Sequence, residues 1–67
     1  MAPYSDNSQL PHSVQHVLPS HAQDIYREAF NHALAEYGQD DVRAARVAWA
    51  AVKRRYEKRE GGWVPKP

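Results

Sequence analysis

At 67 residues with a net charge of +1, the chain is sized for one domain and has little length to spare for a core. It contains no cysteine, which excludes a disulfide framework, a thiolate metal site and a cysteine nucleophile. A hydrophobic share of 42% beside 25% charged residues argues against wholesale disorder, and no apolar run approaches the roughly 20 residues that span a bilayer. The opening Met1-Ala2-Pro3-Tyr4-Ser5-Asp6 has neither the basic start nor the apolar centre of a signal peptide, so a cytoplasmic location is expected.

In chain order, residues 1–9 are polar and rich in turn formers, and an extended segment is expected there. Leu10-Pro11 opens a short helix of about two turns, with Leu10, Val14, Val17 and Leu18 on one face and Pro19 closing it. The clearest signal follows. Ala22, Ile25, Tyr26, Ala29, Phe30, Ala33, Leu34 and Tyr37 repeat at helical spacing, so a central helix runs from Ser20 towards Gly38. Ser20 and Gln23 are spaced as a capping box, and Gly38 supplies a left-handed C-terminal residue.

Asp40 or Asp41 caps a third helix, expected to reach about Lys58, with Ala45, Ala48, Trp49, Val52 and Tyr56 as its packing stripe. Gly61-Gly62 then breaks the helix, so Trp63 can return to the core. A minimal two-strand pairing of the termini, with Tyr4 near Trp63, is an option, while Pro65 and Pro67 bar regular structure in the tail 65–67. The fold class expected is all-α, a small three-helix domain over 10–64. Its core is Ile25, Tyr26, Phe30, Leu34, Trp49, Val52, Tyr56 and Trp63.

Charge is unevenly placed. Up to Asp41 there is one cation against six acids, and from Val42 onward eight cations against two acids, giving −5 and +6. Either the halves attract each other on folding, or the basic residues are a solvated face, or they form a surface for an anionic partner. Arg43, Arg46, Lys53, Arg54 and Lys58 share one side of the third helix and are the candidate partner-binding residues.

Other constellations are weaker. His12 and His16 stand at i and i+4, a metal-sharing spacing, but no third ligand follows at a defined interval, so no metal site and no cofactor are expected. Ser5, Ser8, Ser13 and Ser20 lie in loops or at helix starts without a base and an orienting group, so no catalytic residue is assigned and the protein is expected not to be an enzyme.

Leu10-Pro11, Ser13-Val14, the run His16 to Tyr26, Glu28-Ala29-Phe30-Asn31, Val47 to Lys53, Tyr56 and Gly62-Trp63 together resemble the ChaB family of small bacterial proteins. The resemblance covers the chain from Pro3 to Val64; it departs in the short link Gly38-Gln39-Asp40-Asp41 and in Ala45, where the family often has histidine. It implies a compact helical domain encoded in some bacteria beside a sodium or calcium/proton antiporter, and a small binding protein that regulates that antiporter. Taken with the charge split, the expected contact is between the basic face and an acidic cytoplasmic segment of such a membrane antiporter, without membrane insertion. The alternative is a nucleic-acid-associated module using the same face, since the family's domain also occurs joined to domains that touch nucleic acid.

Overall fold

The structure is a computed structural model and describes residues 4–67. Three helices, α1 (His12–Val17), α2 (Ser20–Glu36) and α3 (Asp41–Arg55), are followed by an antiparallel hairpin of β1 (Tyr56–Arg59) and β2 (Gly62–Pro65). The three-helix domain expected from the sequence is present, and the short strand pairing belongs to its C-terminal end.

The antiparallel α2 and α3 form the body of the molecule. Tyr26, Phe30, Ala33 and Leu34 of α2 are buried with Ala44, Ala48 and Val52 of α3. Alanine at so many of these positions lets the two backbones approach closely, while Tyr26 and Phe30 fill the remaining volume. Of the eight core residues expected, Tyr26, Phe30, Leu34, Val52 and Tyr56 are buried, and Ile25, Trp49 and Trp63 are half-buried against them.

The link between α2 and α3 is a Schellman turn. The Gln39 N–H reaches the Leu34 carbonyl at 2.8 Å and Gly38 takes φ +62°, as the left-handed C′ position requires. Asp40 then caps α3, its side chain accepting the Arg43 N–H at 3.1 Å.

The opposite end of α2 differs from the capping box. Pro19 is the N-cap, Ser20 already lies in the helix, and no side chain caps the first turn. The Gln23 amide is used elsewhere: its Nε2 donates to the Leu18 carbonyl at 2.9 Å and the Gln15 carbonyl at 3.3 Å. It thereby satisfies backbone groups left open by the turn between α1 and α2, a stronger demand than an exposed helix start makes. Gln15 acts likewise on the Leu10 carbonyl at 2.6 Å.

Within α1, Val14 is buried, flanked by buried Leu10 and Leu18, whereas Val17 is 45% exposed. The helix ends at Val17, so Leu18 turns inward as its C-cap and Val17, expected on the same face, points to solvent instead. Residues 1–3 of the segment expected to be extended lie outside the described residues. Its remainder carries a 3-10 turn, Asn7–Gln9, started by Asp6, which accepts the Ser8 N–H at 2.8 Å. The Ser8 hydroxyl also bonds Asp6, and these hydrogen bonds hold the exposed carboxyl below its ordinary value.

Helix α3 stops at Arg55, short of Lys58, because the chain becomes extended at Tyr56 and folds back. The pairing is Tyr56 with Pro65 and Lys58 with Trp63, so the strands join each other and not the two termini. Tyr4 instead lies over Phe30, rings 5.0 Å apart, and its N–H and carbonyl are both bonded by the Asn31 amide at 2.9 and 2.7 Å. Trp63 packs on Trp49 at 5.7 Å, and Trp49 meets the Tyr26 ring edge-on at 5.3 Å. Pro65 sits within β2, at the edge of a two-stranded sheet where its missing N–H is tolerated.

Candidate functional site

The outward side of α3 carries Arg43, Arg46, Lys53 and Arg54, all exposed. At 100° per residue they fall in a strip about 100° wide, and Arg43 and Arg54 are about 16 Å apart along the axis. The buried side of the same helix, Ala44, Ala48 and Val52, fixes its rotation, so the strip is held by the core and not by a loop. At its N-terminal end the Arg43 guanidinium lies over the Tyr37 ring, 5.1 Å from the centroid, which narrows that side chain's freedom while leaving its charge exposed.

Lys58, expected on the same helical face, lies instead on β1 opposite Trp63. It is exposed beside the hairpin and extends the positive region beyond the helix end. The five residues are therefore brought together as four on α3 and one on the adjoining strand.

The notion that the oppositely charged halves neutralise each other on folding does not match the geometry. Among the described residues the ion pairs are Arg27 with Asp24 at 4.0 Å, His32 with Glu36 at 3.5 Å, and Arg59 with Glu57 at 2.7 Å. Each joins near neighbours within one half of the chain. Arg43, Arg46, Lys53, Arg54 and Lys58 make no ion pair among the described residues, so their charge faces solvent.

His12 and His16 are both exposed on α1, and among the described residues no three His, Asp or Glu side chains converge as a metal-ligand set. Sequence reasoning passed over Arg55 and Lys66. Both line a cleft of about 380 Å³ with His21, Arg54, Tyr56, Pro65 and Pro67. No spacing rule points to Lys66, because only the return of β2 places it next to the end of α3. No helix among the described residues is long and apolar enough to cross a membrane.

The comparisons with known proteins agree on one family. The ChaB family model matches residues 10–66. A protein of Escherichia coli (strain K12) named "Putative cation transport regulator ChaB" is 54% identical over 84% of this chain and 86% of its own length. A protein of Shigella flexneri with the same name matches to the same extent. An NMR solution structure bearing that name superposes with a TM-score of 0.83 at 51% identity, covering 97% of this chain and all of the other. A family match over most of the chain, joined by the same fold at that identity, is decisive: the chain belongs to the ChaB family.

Proposed function

We propose that this protein is a cytoplasmic, non-enzymatic regulator of cation transport, acting by contact between the basic face of α3 and an acidic cytoplasmic segment of a cation/proton antiporter. One observation carries the reading. A rigid helix presents Arg43, Arg46, Lys53 and Arg54 on one strip, with Lys58 beside it, and none of them makes an ion pair among the described residues. Relatives named as regulators of cation transport supply the class of process. Exposed charges in such a strip steer an acidic partner and set its orientation, and they do so over about one Debye length, roughly 8 Å at physiological salt.

The action is regulatory binding. The strip holds no nucleophile beside a base, and arginines on a helix flank are suited to recognising carboxylates, not to moving protons. A pull-down from detergent-solubilised lysate, with an Arg46→Glu/Arg54→Glu variant as control, tests the contact. Recovery of a cation/proton antiporter by the native chain and its loss with the variant is the expected result. Equal recovery by both would remove the basic face from the mechanism, and recovery of nucleic acid in its place would move the protein to the alternative class.

A further inference from the structure

At the end of α3 the cleft lined by His21, Arg54, Arg55, Tyr56, Pro65, Lys66 and Pro67 has a composition that the helix alone does not explain. Cations in the last turn of a helix are favoured by its dipole, and Arg54 and Arg55 fit that account. Lys66 and His21 do not. Lys66 arrives from beyond β2 and His21 from the first turn of α2, so three separate segments deliver nitrogen donors to one concavity.

Two of the carbonyls at the end of α3 are bonded by the backbone. The Lys66 N–H donates to the Arg55 carbonyl at 2.8 Å, and the Tyr56 N–H donates to the Val52 carbonyl. The side chains of Arg54, Arg55 and Lys66 therefore have no helix-capping work at these carbonyls. No Asp or Glu lines the cleft, Pro67 lines it beside Lys66, and Arg54, Arg55 and Lys66 make no ion pair among the described residues.

We propose that this cleft is a binding site for a phosphate group, held by Arg55 and Lys66 together with Arg54 and His21 of the same lining. A volume of about 380 Å³ is at the small end of ligand sites, large enough for a phosphate or diphosphate and part of what carries it. Two guanidinium groups and an ammonium group lining one cleft, with no Asp or Glu side chain among its lining residues, favour a doubly charged tetrahedral anion over a single carboxylate. The Tyr56 ring, buried beneath and 6.3 Å from the His21 imidazole, gives the cleft a firm floor. The site shares Arg54 with the strip proposed above, but Arg55 and Lys66 lie outside that strip, so a change at these two residues tests the cleft alone.

The phosphate can be carried by a small solute or by a lipid headgroup, and the same experiment separates the sources. The isotope-labelled chain is titrated with inorganic pyrophosphate at low salt, and separately with phosphatidylcholine vesicles with and without phosphatidic acid, while the backbone amide signals are followed. Saturable shifts confined to His21, Arg54 to Tyr56 and Lys66 are expected. The Arg55→Gln/Lys66→Gln variant should lose about tenfold or more in affinity, and Arg46→Gln, an equal charge loss per residue elsewhere on α3, should change it little. Saturation by pyrophosphate assigns a soluble source, and a response only to vesicles containing phosphatidic acid assigns a headgroup. No saturable response to either probe overturns the proposal, as does an undiminished affinity in Arg55→Gln/Lys66→Gln.

Discussion

Trp49 joins two parts of the protein that are far apart in character. Its indole meets Tyr26 of α2 edge-on and receives Trp63 from β2, so the helical body and the hairpin share one aromatic stack. The residue is only half-buried, which places Trp49→Ala near the lower end of large aromatic truncations, a loss of about 3 kcal/mol. In a domain this small that is a large share of the whole stability, and a urea transition should show it directly. A loss under about 1 kcal/mol would mean that the stack does not hold the hairpin. Tyr26 makes a second prediction. Burial pushes its phenol above the ordinary value of 10.0, so the unfolded chain ionises first. Its stabilising contribution is full below that pH and is lost as the pH rises past it. Urea midpoints followed into alkali should fall less steeply in Tyr26→Phe than in the native chain.

Between elements, the seam of α2 and α3 is set by small residues. Ala48 is fully buried while Ala50 is exposed on the same helix. Ala48→Leu should destabilise by about 1 to 3 kcal/mol through overpacking, whereas Ala50→Leu should be within about 0.5 kcal/mol of native. Thermal melts of the pair check the rotation of α3 in one comparison. The apolar spacing from Ala22 to Tyr37 and the Asp40 and Gly38 signals marked both long helices, but the expected stripe of α3 held Ala45, which is half-buried, and missed Ala44, which is fully buried, so the helix is turned further towards Ala44 than its spacing suggested. The end of α3 was not readable. Tyr56 stands at a correct helical interval from Val52, and Tyr-Glu-Lys-Arg is too short and too charged to announce a strand. What decides the matter is non-local, namely the attraction of Trp63 for Trp49 once the glycines allow the chain to reverse, with Gly61 at φ +93°. The glutamine bonds across the α1 and α2 corner were illegible for the same reason, since the open carbonyls they satisfy exist only after the turn has formed. In the candidate site, the strip Arg43, Arg46, Lys53 and Arg54 followed from helical spacing alone, but Lys58 moved to the strand and the Arg55 and Lys66 pairing emerged only with the hairpin.

At the scale of the whole molecule, the charge split has a spatial meaning. Acidic residues Glu36, Asp40 and Asp41 cluster about the α2 to α3 link, and unpaired cations occupy the outward side and far end of α3. A body polarised in this way is oriented by an acidic partner before contact, and its association weakens with added salt. The packing of α3 rests on its buried side, and the cations add only local terms such as the helix-dipole contact of Lys53 and Arg54. Charge reversal at Arg46 and Arg54 should therefore cost no more than about 1 kcal/mol in a thermal melt while removing partner recognition. The central claim is regulation of cation transport through this face, and the most direct measurement is cation/proton exchange in inverted membrane vesicles that contain the antiporter. Added native protein should change the exchange rate, and Arg46→Glu/Arg54→Glu should leave it at the level of vesicles alone. An exchange rate unaffected by the native protein, or altered equally by the charge-reversed variant, would contradict the account.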